Sequence, residues 1–555
     1  MEGQNSTPLP SNVGTDYTKW TQEALISRIR QLESSLETSL SNSEIKQESL
    51  TILPKPTAKP DFDFSRYTSR LIALKFAYIG GPYQGLEYHF GGDTPLPTVE
   101  EKLFEALLKA RLVPPKTYYN PDGSVDTTQV FPGGGNSGID DIGKWIDLDA
   151  WEYTKCGRTD RGVSAFGQVV GVRVRSNRPN SKKEEMLGEN SLVGDAEDNL
   201  APRSPRDDGT PEFDDKNELP YVTILNRLLP STIRVLAWCP NPPENFSARF
   251  NCQARTYHYF FTNPPAPHNP GEPPRVLDID AMKAAAKYYE GLHDFRNLCK
   301  IDASKQITNF KRRVEEADIV KVGGVTPVFS LEPYELSEGI LERRPEVYYF
   351  KLTGSAFLWH QVRHMVAILF LVGQKLEKPE VVKELLDVQN MPTKPFYNMA
   401  DDRPLVLWDC LFDEKEVKWV YPELNRAKPS SREDVIGSLW ELWHNSNMDA
   451  MLSGGLLSIV YGQQETHCGK GLGGGNRTGN NGKKVRDSTW IVDGSPMQTS
   501  FGKYVEIVKR GRMEAIEVIN RKFAAKKSEE WRQKWSVEAK RERGIGDMTD
   551  YDHDE

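Results

Sequence analysis

Lys155-Cys-Gly-Arg-Thr-Asp-Arg-Gly-Val-Ser-Ala-Phe-Gly-Gln-Val-Val170 joins a glycine-bounded turn to an apolar strand. Asp160 sits between Arg158 and Arg161, with Gly157 and Gly162 on either side. Two guanidinium groups beside a carboxylate favour its ionised form, and an ionised carboxylate is a nucleophile or base at neutral pH. Glycines also let the backbone approach a ligand closely. The same residues fit a plain turn, in which Asp160 caps the next element and both arginines are solvated; structural ion pairs perturb carboxylates too. Past the turn, Val170, Val172 and Val174 alternate with Arg173 and Arg175, which predicts a strand with one buried face.

Working outward, Leu74, Phe76 and Tyr78 alternate with Lys75 and Ala77, a second strand. Thr98-Val-Glu-Glu101 reads as a capping box, followed by Val99, Leu103, Ala106, Leu107 and Ala110 at helical spacing. Downstream, 254–262 reads as an aromatic strand with Tyr257, Tyr259 and Phe261 on one side. Residues 280–291 read as a helix, 347–353 as a strand and 357–373 as a strongly apolar helix. Strands and helices mix without a run of βαβ units, so the fold class is α+β.

The remainder divides by composition. Residues 1–65 are polar low-complexity sequence holding one short amphipathic helix (Leu25, Ile29, Leu32, Leu36, Leu40). Residues 113–148 look like an insertion. Residues 176–218 carry six Lys/Arg against twelve Asp/Glu and look disordered, as do the Gly- and Asn-rich residues 462–495. Residues 501–543 carry thirteen Lys/Arg against seven Glu, and 504–543 reads as a basic helix, so the net charge of −8 does not exclude a polyanionic partner. That helix fits a phosphate-docking element, a solvated face or a nuclear-localisation patch equally well. The expected division is an arm (1–65), a first half carrying Asp160 (66–240), a second half (241–425) and a C-terminal extension (426–555).

Several classes fall away. The longest apolar run, Met365–Gly373, is far short of the roughly 20 residues that span a bilayer, and the polar first residues carry no secretion signal. A membrane partner is not expected, and the cell compartment is nucleus, cytoplasm or both. Six cysteines without a CxxC pair argue against a disulfide framework and a zinc ribbon. His360 and His364 have the i, i+4 spacing of zinc ligands, but no acidic third ligand is near in sequence and Arg363 lies between them. Gly473–Lys484 lacks the Ser or Thr of a phosphate loop. No metal site is expected.

Gly157–Val170 resembles the catalytic loop of the TruA-type tRNA pseudouridine synthases. Phe246-Ser-Ala-Arg-Phe-Asn-Cys-Gln-Ala-Arg-Thr-Tyr-His-Tyr259 is similar to the second motif of that family, and Gly354-Ser-Ala-Phe-Leu-Trp-His-Gln-Val-Arg-His-Met365 to the third. Resemblance spans roughly residues 71–412. His293-Asp-Phe-Arg-Asn-Leu-Cys-Lys-Ile-Asp302 is most similar to the eukaryotic branch that modifies uridines 38 and 39 of the tRNA anticodon arm. The resemblance implies two ferredoxin/RRM-like halves with mostly antiparallel sheets around a basic cleft. It implies an isomerase with tRNA (its anticodon stem-loop) as partner, a homodimer, and no cofactor, since the reaction is redox-neutral.

By motif position it makes Asp160 the nucleophile and Tyr257 the residue that stacks on the target uracil, with a part in proton removal at C5. It makes Arg363 the ion-pair partner of Asp160. Arg158 and Arg161 would bind phosphates or fill the gap left by the extruded base, and Arg255 would line the substrate side. Three rivals stay open: a non-catalytic tRNA-binding or chaperone protein on the same scaffold, a scaffold protein that recruits partners through its N-terminal helix and tails, and a synthase acting at other tRNA positions or on another RNA.

Overall fold

A computed structural model of the 555-residue chain describes residues 62–526, except 93, 121–123, 127–130, 132–140, 179–217, 266–274, 324–344, 423–434, 469–488, 496–498 and 502. The helix expected within 25–40 and nearly all of the acidic segment 176–218 lie outside the described residues.

Nine strands form one sheet: β1 (Thr68–Tyr78), β2 (Thr154–Lys155), β3 (Ser164–Ser176), β4 (Ile233–Cys239), β5 (Ala254–Asn263), β6 (Gly291–Asp294), β7 (Lys311–Lys321), β8 (Glu346–Gly354) and β9 (Leu405–Leu411). Their order is β4-β1-β3-β9-β5-β8-β7-β6, with β2 paired to β3. Every pairing is antiparallel except β3–β9, where Ser164 and Ala165 face Val406 and Leu407 in parallel. The two expected halves are therefore not two sheets. They fuse edge to edge, and β9, the last strand of this sheet in sequence, is the seam.

Each half supplies its own core on the helix-covered side. In the first, Ile72, Leu74, Phe76 and Tyr78 of β1 pack with Val170, Val172 and Val174 of β3 and with α1 (Val99–Lys109) and α2 (Tyr221–Leu228). Thr98 accepts from the Glu101 amide at 3.1 Å and the Glu101 carboxylate accepts from the Thr98 amide at 3.3 Å, the reciprocal cap its sequence predicts. The flanks of the expected insertion 113–148 belong to this core: Val113, Ile142 and Trp145 are buried, and the nearby Trp151 donates to the Pro114 carbonyl at 2.8 Å.

The second core forms between β5, β7, β8 and three helices, α3 (Ile279–Lys287), α4 (Gln361–Gly373) and α5 (Val381–Leu386). Every residue of α4 is buried. That explains its unbroken apolar sequence, since a helix enclosed on all sides shows no polar face. It starts at Gln361, later than its hydrophobicity suggests, because His360 takes a left-handed conformation (φ 57°).

The C-terminal segment is more ordered than its composition predicts. α6 (Val435–Cys468) runs through the start of the expected disordered stretch, and among the described residues no helix is long and apolar enough to cross a membrane. Strands Thr489–Ile491 and Thr499–Phe501 pair as a small separate ribbon. Ile507 and Ile516 insert into the second core, the latter opening a helix over Ile516–Lys526. The expected basic helix is thus shorter at its start, and residues beyond 526 lie outside the described set.

A candidate active site at the seam of the sheet

The turn holding Asp160 is fastened along its length by the first half. Gln168 donates to the Gly157 carbonyl at 2.8 Å, and Tyr78 and Thr159 share a hydroxyl hydrogen bond of 2.6 Å. The Leu86 amide donates to the Thr159 carbonyl at 3.2 Å. The turn closes tightly, the Val163 amide reaching the Asp160 carbonyl at 3.1 Å. Gly162 has φ +79°, and a Cβ there would stand 2.7 Å from an Asp402 carboxylate oxygen. Opposite, Gly85 (φ +102°) passes so close that its Cβ would lie 2.7 Å from the Thr159 carbonyl oxygen. Both glycines are required by conformation and by contact. Gly157 differs: a Cβ there would meet nothing within 4 Å.

Held this way, the Asp160 carboxylate projects to the seam with its side chain about 30% exposed. Its two oxygens meet the second half. The Trp359 indole donates to Oδ1 at 3.2 Å, and His360 Nε2 lies 3.3 Å from Oδ2. These contacts depend on the left-handed His360 backbone, a strained conformation for a residue with a Cβ, found here against the carboxylate. Trp359 is 42% exposed, and the Lys300 ammonium lies 4.1 Å from its ring centroid.

Arg363 is placed differently from the expectation. Its guanidinium donates from Nε to the Ala400 carbonyl at 2.7 Å, and Nη2 lies 3.7 Å from Asp402 Oδ2, so the ion pair found is with Asp402 and not with Asp160. The reason is the start of α4. With Trp359 and His360 folded back over Asp160, Arg363 lies one turn into a fully buried helix, and Asp402, packed against Gly162, is the carboxylate it meets. Arg363 thus supports the turn through Asp402.

Tyr257 lies where the two cores touch, packed against both, with its ring edge-on to Phe357 at 5.1 Å. Burial, with the nearby Asp160 carboxylate adding to it, holds its phenol well above the ordinary tyrosine range. It is a neutral aromatic surface beside the carboxylate. The expected grouping of Tyr257, Tyr259 and Phe261 divides: Tyr259 and Phe261 belong to the second core, and Tyr257 stands at the edge of both.

The remaining arginines separate. Arg158 turns away from Asp160 to pair with Glu87 at 3.1 Å. Arg161 is exposed beside Asp160 in the chain. Arg255 is a brace: it donates to the carbonyls of Cys156 at 3.0 Å, Arg249 at 2.9 Å and Ser355 at 2.5 Å, tying the start of the turn to the approach to α4. The two candidate zinc histidines serve different partners, His360 facing Asp160 and His364 Nε2 contacting Lys394 at 2.9 Å.

One carboxylate on a rigid turn, a neutral tyrosine and an exposed tryptophan, all at a seam lined by Lys300 and Arg161, suit covalent attack on a flat, unstacked ring. The chain is 34% identical to the tRNA pseudouridine(38/39) synthase of Saccharomyces cerevisiae over 525 residues, 92% of each chain. It is 34% identical to the Homo sapiens protein of the same name over 89% of each chain. The chain belongs to the tRNA pseudouridine synthase family. Residues 285–413 also match the general tRNA pseudouridine synthase profile. The tRNA pseudouridine synthase A of Mycobacterium leprae is 31% identical over 43% of this chain and 68% of its own.

Within this isomerase family, the residues around the Asp160 turn here include some that spacing does not single out. Trp359 and His360 sit inside the third motif, but only the reversed backbone at His360 aims them at the carboxylate. Lys300 lies in the segment 293–302, far away in sequence. Asp402 has no motif to mark it.

Proposed function

We propose that the chain isomerises uridines 38 and 39 of the tRNA anticodon arm to pseudouridine, with Asp160 attacking a nucleotide flipped out of its stack. The observation that carries this is the Asp160 carboxylate itself: fixed by backbone contacts on one side, met by Trp359 and His360 on the other, and open to solvent between them. The C1′–N1 bond breaks, a C1′–C5 bond forms, the C5 proton is lost and N1 gains one, so every atom of the uridine is retained. Asp160 attacks at C1′ or at the ring; the contacts named here are compatible with both.

Extrusion costs a few kcal/mol. Stacking on aromatic side chains returns roughly 1–3 kcal/mol per base, and Tyr257 and Trp359 are the surfaces beside Asp160. Lys300 and Arg161 supply positive charge for the phosphates that flank the flipped nucleotide. A homodimer fits the same reading. His258 is stacked between Tyr349 and Trp408, each 4.3 Å away, on the sheet face opposite the second core, and Trp408 is 39% exposed. This aromatic patch is of a kind that interfaces cover.

Incubating the purified chain with tRNA transcripts carrying uridine at 38, at 39 or at neither, then mapping pseudouridine by carbodiimide-dependent reverse-transcription stops, tests the assignment. Product at 38 and 39 alone is expected. Product elsewhere would reassign the target, and no product on any transcript would overturn the reading.

A further inference from the structure

Three cysteines far apart in sequence meet at one point. Cys156 follows β2, Cys252 precedes β5 and Cys410 lies near the end of β9. Their sulfur atoms all lie within 4.8 Å of one another, and all three residues are buried. They converge at the seam, four residues before Asp160, where the Cys156 amide is already tied to the Val169 carbonyl at 2.9 Å. The spacing gave no hint of this, because the donors come from three strand ends that only the closed sheet brings together.

We infer that Cys156, Cys252 and Cys410 form a tris-thiolate site for a thiophilic cation of the Zn²⁺ or Cu⁺ class, a structural centre that anchors the catalytic turn. Three thiolates complete a trigonal Cu⁺ site and fill three of the four positions of tetrahedral Zn²⁺. For zinc, the Ala254 carbonyl oxygen, 3.3 Å from the Cys252 sulfur, is the adjacent oxygen donor.

Charge balance favours the site. A divalent ion on three thiolates leaves one net negative charge, and the Arg255 guanidinium, held against the Cys156 carbonyl, supplies the balancing positive one. Ligation requires each thiol to lose its proton, so affinity rises with pH. Hard, oxygen-preferring cations are not selected, since all three side-chain donors are sulfur.

The test uses the full chain, purified under thiol reductant without chelator. Elemental analysis reads zinc and copper per chain, and Cd²⁺ titration reads the near-ultraviolet sulfur-to-metal charge-transfer band. One equivalent of zinc or copper, or a saturable Cd²⁺ band at one ion per chain, is expected. Competition with a Cu⁺ chelator against a Zn²⁺ chelator distinguishes the two ions. Cys156→Ser, Cys252→Ser and Cys410→Ser each abolish stoichiometric binding, while Cys239→Ala, a buried cysteine outside the cluster, retains it. Should the serine variants fail to fold, the wild type still decides: added Zn²⁺ or Cd²⁺ raises its melting temperature if the site exists. Neither co-purifying metal nor a Cd²⁺ band nor a thermal shift in the reduced, folded wild type would overturn the inference.

Discussion

Asp160 is ordinary in chemistry and unusual in its contacts. Its orientation rests on one indole and one imidazole from the facing half, so removing either should affect rate more than binding. Trp359→Phe keeps a ring but deletes the donor 3.2 Å from Oδ1. Hydrogen bonds to charged groups contribute about 1.5–3 kcal/mol, and 1.36 kcal/mol is tenfold in rate. Steady-state assays should therefore show kcat reduced at least about tenfold with KM nearly unchanged. Trp359→Ala also loses the ring that faces Lys300 and should raise KM.

His258 makes a separate residue-scale prediction. Burial and the Lys351 charge push it down to about 4, and neither ring nitrogen has a hydrogen-bond partner among the described residues. The unfolded chain binds this proton near pH 6.5 and the folded chain only near 4. Stability is therefore complete above about pH 6.5 and declines as pH falls through that window, by up to about 3 kcal/mol. Urea titrations at several pH values should show a flatter acid slope for His258→Phe than for the wild type. An unchanged slope would place the acid sensitivity in other groups.

At the scale of elements, the candidate active site is a junction of a turn, a helix start and β9, linked by Arg363, Asp402 and Gly162. Gly162→Ala puts a methyl group at φ +79° and 2.7 Å from the Asp402 carboxylate. The conformation alone costs roughly 1–2 kcal/mol. Thermal unfolding should show a lowered midpoint, and activity should fall further than stability because the Asp402 contact shifts too.

Much of this junction was legible beforehand. The alternation in β1 and β3, the Thr98 cap and the apolar run of α4 each report local geometry, which sequence periodicity encodes. The partner of Arg363 was not legible, because it depends on one left-handed residue, His360, that leaves helical hydrophobicity unaltered. The cysteine cluster was hidden for a related reason: strand order in a sheet is not written in the spacing between strands.

For the whole molecule, the C-terminal segment is structural where its composition suggested an appendage. The Asp401 amide donates to the Asp493 carbonyl at 2.8 Å, next to the Asp402 that pairs with Arg363. Tyr504 donates to Glu377 at 2.7 Å, and Ile507 is fully buried. Deleting this segment would therefore confuse folding with tRNA docking. Charge reversal at the exposed Arg512 and Arg521 separates them. If these residues meet phosphates, the double Glu variant keeps its melting temperature, binds tRNA more weakly and shows a log–log salt slope smaller by about 2. Equal affinity and slope would leave the two arginines as solvated surface.

The central claim is that Asp160 carries the chemistry and little of the binding. Single-turnover assays with Asp160→Asn on a tRNA bearing uridine at 39, run beside equilibrium binding of the same tRNA, address it directly. The account predicts no pseudouridine and tRNA affinity within about threefold of wild type, since each 1.4 kcal/mol is tenfold and no phosphate contact is removed. Pseudouridine formed by this variant at a rate near that of the wild type would contradict it.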